Sequence, residues 1–378
     1  MQDDISDKKP SSSNIRVVVA DASLMLRRAM ARMVRKTSDI ALLATTETTE
    51  ETMDAVRRLF PHVLVMDLAG EGLDGLSVLR QLKAEQLRCA VVLFSAPTMT
   101  GAESTIRGME LGASDFVAKP VSGSFAVTLS VIEHELLPRL RALGNSTRGL
   151  TRQPLPSFPP PSAASAVEGI VRKARLSAPP RAPSQWESSF PTGVVVIASS
   201  TGGPDALMRL LPAIPADFPT PILVAQHMPP LFTATLATRL NQVTALRVLE
   251  ALDGEPLLGG AVYVAPGDRH MIVGRDRLML RVRLNSDPPV HSCRPAADVL
   301  FSSAAEIFGA GVLGIVLTGM GVDGTSGARA IREKGGRILV QTFESCLVNG
   351  MPKSVHDAGL ANEQLSLSEI AARMRTHF

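Results

Sequence analysis

The sequence predicts two α/β domains, each a mostly parallel, doubly wound sheet covered by helices, with a proline-rich linker between them. Three observations carry this. The chain has 378 residues, 45% of them hydrophobic. At about 150 residues per domain, that suits two or three domains that bury their own cores. Short continuous apolar runs alternate with amphipathic stretches on both sides of a central segment, the pattern of buried parallel strands with crossover helices. The central segment, residues 141–190, holds eight prolines, seven basic residues and two acids. Clustered proline without apolar periodicity cannot pack a core and favours extended chain. The expected organisation is a disordered tail over 1–13, a first domain over 14–138, a linker over 139–190 and a second domain over 191–378.

In the first domain the apolar runs at 15–20, 40–44, 63–66, 90–94 and 115–118 read as strands, with helices at 24–34 and 76–83 among the segments between them. Five β/α alternations in this length call for one parallel sheet with helices on both faces. Within the linker, residues 170–176 have the pattern of a short basic helix, and Trp186 is expected to pack on the second domain. There, the runs at 194–198, 222–225, 312–317 and 337–340 read as strands, each followed by turn residues and a helical pattern. Residues 261–265, 270–273 and 278–282 read as shorter strands, an antiparallel pair or an edge.

Composition excludes several classes of protein. Cys89, Cys293 and Cys346 are widely spaced with no CxxC pair, against a disulfide framework or structural zinc. The first residues are polar, and no run approaches the ~18 apolar residues of a membrane span. A cytoplasmic protein without membrane insertion is expected, and a monomer. The net charge of +3 owes its sign to the linker, and only 4% of residues are aromatic. Stacking platforms are scarce, so no nucleic-acid partner is expected.

Candidate chemistry in the first domain lies at strand ends. Asp21 follows the first predicted strand, Asp67 the third, Ser95 the fourth and Lys119 the fifth. Ligand sites in open parallel sheets form beyond these carboxyl ends. Converging carboxylates there suit Mg²⁺, with a phosphoryl group and a lysine to balance charge. Each aspartate alone reads more readily as a turn or cap residue. With Val19-Ala20-Asp21, Asp67, Asp74-Gly75-Leu76, Phe94-Ser95-Ala96 and the run from Leu111 to Pro120, the set resembles the receiver domain of two-component response regulators over about residues 14–138. The resemblance implies Asp67 as phosphoacceptor, Asp21 and Asp67 as Mg²⁺ ligands, Lys119 as phosphoryl partner, and Ser95 with Phe116 as the switch pair. Two departures stand out. Ala20 replaces the first of two adjacent acids, which weakens the expected Mg²⁺ binding, and Gly70-Glu71 stands where Met-Pro is usual.

In the second domain Ser199-Ser200-Thr201-Gly202-Gly203-Pro204 follows a strand and opens a helix. Such a turn can present a hydroxyl beside free backbone N–H groups, or serve as a generic glycine turn or phosphate cradle. It fits neither GxGxxG nor GxxxxGK[ST]. His227 ends the next strand and Asp323 follows a third. Singly they read as a structural histidine and as an N-cap for a helix from Thr325. Together Ser200, His227 and Asp323 place a nucleophile, a base and an orienting carboxylate at one sheet edge. Their order differs from that of α/β-hydrolases, which implies another fold. Cys293 and Cys346 are disfavoured as nucleophiles because neither is expected beside a histidine. His270 and His291 are expected to be groove or structural residues.

Over about residues 192–376 the motifs Ala198 to Pro204, Gln226-His227-Met228, Val264 to Met271, Arg294-Pro295, Asp298 to Phe301, Leu317 to Gly324 and Gly350-Met351-Pro352 resemble the catalytic domain of chemotaxis-type protein-glutamate methylesterases. A receiver followed by this domain is that family's architecture. The resemblance implies hydrolysis of glutamate γ-methyl esters on methyl-accepting chemoreceptors, with deamidation of receptor glutamines, and no cofactor for catalysis. It also implies Ser200 as nucleophile, His227 as base and acid, Asp323 as its partner, Thr201 and Met320 beside the site, and a Met320 N–H facing the oxyanion. By the same resemblance a chemotaxis histidine kinase supplies the phosphoryl group, and the receiver covers the active site until phosphorylated. Ala198, Cys293 and Ala296 stand where Gly, His and Ser are usual. The alternatives are a non-catalytic, receiver-containing binding module of a chemosensory array, and a general small-molecule esterase.

Overall fold

The computed structural model describes residues 14–120, 124–147, 193–277 and 279–376. The expected tail, the helix at 170–176, Trp186 and the linker from residue 148 onward lie outside the described residues. The first domain runs β1 (Ile15–Ala20), α1 (Leu24–Arg35), β2 (Ile40–Thr46), α2 (Thr49–Leu59), β3 (Val63–Met66), a two-residue pair β4 (Ala69–Gly70) and β5 (Leu73–Asp74), α3 (Gly75–Ala84), β6 (Ala90–Ser95), α4 (Met99–Glu110), β7 (Asp115–Ala118) and α5 (Phe125–Val131). Its five long strands form one parallel sheet in the order β2-β1-β3-β6-β7. Strands such as β3 and β6 are buried along their whole length, which is why they read as unbroken apolar runs. Helices α1 to α5 each start on a Ser, Thr or Asp whose side chain accepts a backbone N–H of the first turn.

The boundary expected at residue 138 is corrected. Helix α5 continues through a π turn, Ile132–Leu136, into α6 (Leu137–Thr147). Leu140 and Leu143 of α6 are fully buried in the core beside Ile15 and Val17, so the helix cannot end before them. Arg139 and Arg141, assigned to the linker from composition, are ion-paired with Asp115 and Asp39.

The second domain runs β8 (Val194–Ser199), α7 (Gly203–Leu210), β9 (Ile222–Gln226), α8 (Phe232–Val243), β10 (Arg247–Glu250), β11 (Ala261–Val264), β12 (His270–Asp276), β13 (Met279–Asn285), α9 (Ala297–Phe308), β14 (Val312–Val316), α10 (Thr325–Glu333), β15 (Arg337–Gln341), α11 (Gly350–Asp357), β16 (Glu363–Leu365) and α12 (Leu367–Thr376). Seven parallel strands lie in the order β10-β11-β9-β8-β14-β15-β16, and β12 and β13 form the antiparallel pair. The edge strands β10 and β16 are additions to the sequence prediction; they are short and mix polar with apolar residues. Among the described residues no helix is long and apolar enough to cross a membrane.

The two domains share a boundary. One hydrophobic cluster holds Leu93, Ile106 and Phe116 together with Leu207, Phe232 and Leu236. Phe116 stacks on Phe232 with ring centroids 4.5 Å apart, and Glu110 of α4 pairs with Arg239 of α8.

Candidate active site

The order β9-β8-β14 brings the three strand ends that carry His227, Ser200 and Asp323 side by side. Backbone and amide bonds lace them together. His227 N–H donates to the Ser199 carbonyl (3.1 Å) and Ser200 N–H to the Thr318 carbonyl (3.1 Å). The Gln226 side chain accepts from the Ser199 hydroxyl (2.6 Å) and donates to the Ser200 carbonyl (3.0 Å). Gly203 is required by this lacing, because a Cβ there would lie 2.0 Å from Gln226 Oε1. Gly319 is likewise forced by proximity, since its Cβ would come within 2.9 Å of Ser200 Cβ.

His227 and Asp323 meet directly, Nε2 to Oδ2 at 2.7 Å. Asp323 is not the cap of α10, whose N-cap is Gly324 with φ 91°. Its carboxylate instead accepts the first free N–H groups of α9, Ala297 (2.6 Å) and Asp298 (2.9 Å), as well as Gly324 N–H. Ala296, the N-cap of α9, has no side chain to do this, so the helix end acts as a positive pole for a carboxylate from another element. Burial would raise the Asp323 pKa, but hydrogen bonds from His227, Asp298 and Ala297 and the His227 charge outweigh it and hold it low. Burial pushes His227 down, yet bonds to Asp323 and Cys293 with their charges bring it up to about 9.

With Nε2 committed to Asp323, Nδ1 is the ring nitrogen open to a substrate or nucleophile. Among the described residues it meets Cys293 Sγ at 3.5 Å, and no hydrogen bond joins it to the Ser200 hydroxyl. The expectation that Cys293 lacks a histidine neighbour is therefore corrected. A turn far along the chain delivers it, which strand-end reasoning could not see; its place beside Arg294-Pro295 in a motif block was the available signal. His270 is buried and structural, with Nδ1 accepting Ala296 N–H (3.2 Å) and Nε2 on the Pro288 carbonyl (3.2 Å). His291 contacts Asp298 at 3.1 Å. Met320 follows Gly319, and its N–H makes no hydrogen bond among the described residues.

Thr201 is buried against the first domain. Its hydroxyl donates to Asp115 Oδ2 (2.6 Å), which also accepts from Arg139 Nε (3.1 Å). Asp115 and Arg139 were not foreseen as site neighbours, because only domain packing brings them to Thr201.

The acidic pocket of the first domain gathers three of its four strand-end residues. Lys119 Nζ lies 2.5 Å from Asp67 and 2.9 Å from Asp21. Both aspartates also serve the local role expected of turn residues, Asp21 accepting Ser23 N–H (2.7 Å) and Asp67 its neighbour Leu68 N–H (2.8 Å). Burial raises the Asp21 pKa against the pull of Lys119, and its buried Oδ2 makes no hydrogen bond beyond that ionic contact. A carboxylate oxygen with spare acceptor capacity facing a second carboxylate fits a hard cation. Ser95 donates instead to the Gly101 carbonyl (3.2 Å), and Phe116 turns to Phe232.

Both domains match known families. Residues 195–374 match the model of the CheB methylesterase family, and residues 17–127 that of the response regulator receiver domain. A protein-glutamate methylesterase/protein-glutamine glutaminase of Maricaulis maris is 38% identical, covering 96% of this chain and 95% of its own. One from Symbiobacterium thermophilum is 37% identical, covering 94% and 95%. The catalytic domain of a Thermotoga maritima CheB methylesterase is 42% identical over 49% of this chain and 98% of its own, with a TM-score of 0.48.

Proposed function

Because this chain belongs to the protein-glutamate methylesterase/protein-glutamine glutaminase family and carries its receiver domain, we propose that Ser200, His227 and Asp323 hydrolyse glutamate γ-methyl esters, and deamidate glutamines, on chemoreceptors. The supporting observation is the 2.7 Å His227–Asp323 bond at the sheet edge where β8 delivers Ser200. Ser200 Oγ gives its proton to His227 Nδ1 and attacks the γ-carbonyl; the Met320 N–H faces the oxyanion. His227 returns the proton to the departing methanol, or to ammonia in deamidation. It then takes a proton from water, whose oxygen attacks the acyl carbon. It gives that proton to Ser200 Oγ as the C–O bond to the enzyme breaks and the carboxylic acid leaves. Asp323 stabilises the imidazolium throughout.

The receiver would control this site by covering it. The contacts that support the reading are Thr201–Asp115, Phe116–Phe232 and Glu110–Arg239. Asp67 would accept the phosphoryl group from a chemotaxis histidine kinase, with Lys119 beside it. Asp21 and Asp67 would hold Mg²⁺, which when bound supplies positive charge for the phosphoryl oxygens.

The direct test is methanol release from methylated receptor with and without acetyl phosphate and Mg²⁺. Release that rises with phosphodonor supports the proposal. Receptor binding without release would instead favour a non-catalytic module, and release from small esters alone a general esterase. Asp67→Asn is expected to abolish the phosphodonor-dependent gain while basal release persists. Arg239→Glu, which sets two carboxylates against each other across the domain boundary, is expected to raise basal release about threefold, as suits a part-exposed ion pair. Adding Glu110→Arg should reverse it; an unchanged basal rate in Arg239→Glu would count against the covering role.

A further inference from the structure

Cys293 stands beside the ring nitrogen that the proposed proton transfer uses. Its Sγ lies 3.5 Å from His227 Nδ1, the nitrogen left open once Nε2 binds Asp323. The placement is built rather than incidental. Val290 and Cys293 exchange backbone hydrogen bonds (2.8 and 3.1 Å) across a tight turn. Its central residues, His291 and Ser292, both take left-handed φ of 50° and 62°, a region that side-chain-bearing residues enter at a cost. On the other side Arg294 is tied to Asp268 and to the carbonyls of Ser286 and Asp287. The thiol is thus fixed against a base, and it is partly exposed. Burial pushes the thiols of Cys89 and Cys346 up to about 12, which disfavours their thiolates.

We propose that Cys293 is a thiol-modification site that switches the esterase off, its ligand a small disulfide or thiosulfonate. In the proton-free form of His227, Nδ1 takes the Cys293 proton, and the thiolate attacks one sulfur of R–S–S–R. The S–S bond of the reagent breaks, Cys293–S–S–R forms, and R–S⁻ leaves, collecting the proton from His227. The added group then stands against Nδ1 and blocks its approach to Ser200. An excess of free thiol reverses the exchange. The switch rests on His227 being the base of the proposed hydrolysis; the thiol chemistry does not.

The experiment treats the full chain with methyl methanethiosulfonate, maps labelled cysteines by peptide mass, and measures methanol release from methylated receptor before and after dithiothreitol. Cys293 should label ahead of Cys89 and Cys346. Release should fall about 100-fold in proportion to Cys293 labelling, the low end of a general base's contribution, and recover with dithiothreitol. A His227→Gln variant should label Cys293 about tenfold more slowly, because the thiol has lost its proton acceptor. Full labelling of Cys293 with release intact, loss of release with Cys293 unlabelled, or equal labelling rates in His227→Gln would overturn the proposal. Fast, His227-dependent labelling in a protein that never releases methanol would sink the esterase reading and the switch with it, leaving only a reactive thiol.

Discussion

Ser200→Ala is expected to lower methanol release from methylated receptor by about 10⁵–10⁶-fold, the scale seen when an activated serine nucleophile is removed. The fold should survive. Ser200 is held by its backbone, N–H to the Thr318 carbonyl and carbonyl to Gln226 Nε2, and its hydroxyl carries none of these bonds. Thermal unfolding and circular dichroism should therefore match the parent within error. Release reduced less than about tenfold would mean that the nucleophile lies elsewhere, and Cys293, on the same histidine, would be the first alternative to examine.

Asp323→Asn should have the second largest effect, and its signature is in pH as well as rate. In the parent, His227 is held at about 9, so most of it is protonated at neutral pH and the proton-free base grows as pH rises. Release should therefore climb through neutrality and level off above about pH 9. Asparagine keeps the shape but removes the charge, leaving Cys293 alone to oppose burial, so His227 falls from its raised value. The climb should move to lower pH, and the plateau should fall about 10⁴-fold, as when the orienting carboxylate of such a triad is neutralised. The stability linkage has a definite sign. His227 is raised above its ordinary 6.5, so its share is fully present below about 6.5 and is lost as pH rises through about 9. Asp323 is depressed, so its share is lost only as pH falls into the acid range where it protonates. Chemical denaturation of parent and variant should differ most between those limits. The difference should narrow without vanishing above about pH 9, where the share of His227 is gone and that of Asp323 remains. A parent rate that is flat from pH 6 to about 10 would contradict the coupling.

Much of this was legible beforehand for a simple reason. Strands buried on both faces must be apolar along their length, so β3 begins and ends where its run does. Strand-end positions then follow, and with them Ser200, His227 and Asp323. The edge strands β10 and β16 escaped because they are short and part-exposed, and polar residues interrupt their apolar runs. Helix α6 escaped because basic residues near Pro-rich chain look like linker, although Leu140 and Leu143 lie on its buried face.

The sequence by itself determined two α/β domains, their family and the strand ends from which the chemistry is drawn, because periodicity and local motifs are short-range properties. Only the tertiary structure decided which ring nitrogen of His227 faces Asp323, that the end of α9 holds that carboxylate, and that Cys293 sits on the other nitrogen. It also decided that Asp115 reaches Thr201 across the domain boundary. Those facts join residues far apart in the chain (26 for Ala297 and Asp323, 66 for His227 and Cys293, 86 for Asp115 and Thr201). Contacts at such separations are set by how elements pack, and no local pattern of residues encodes them.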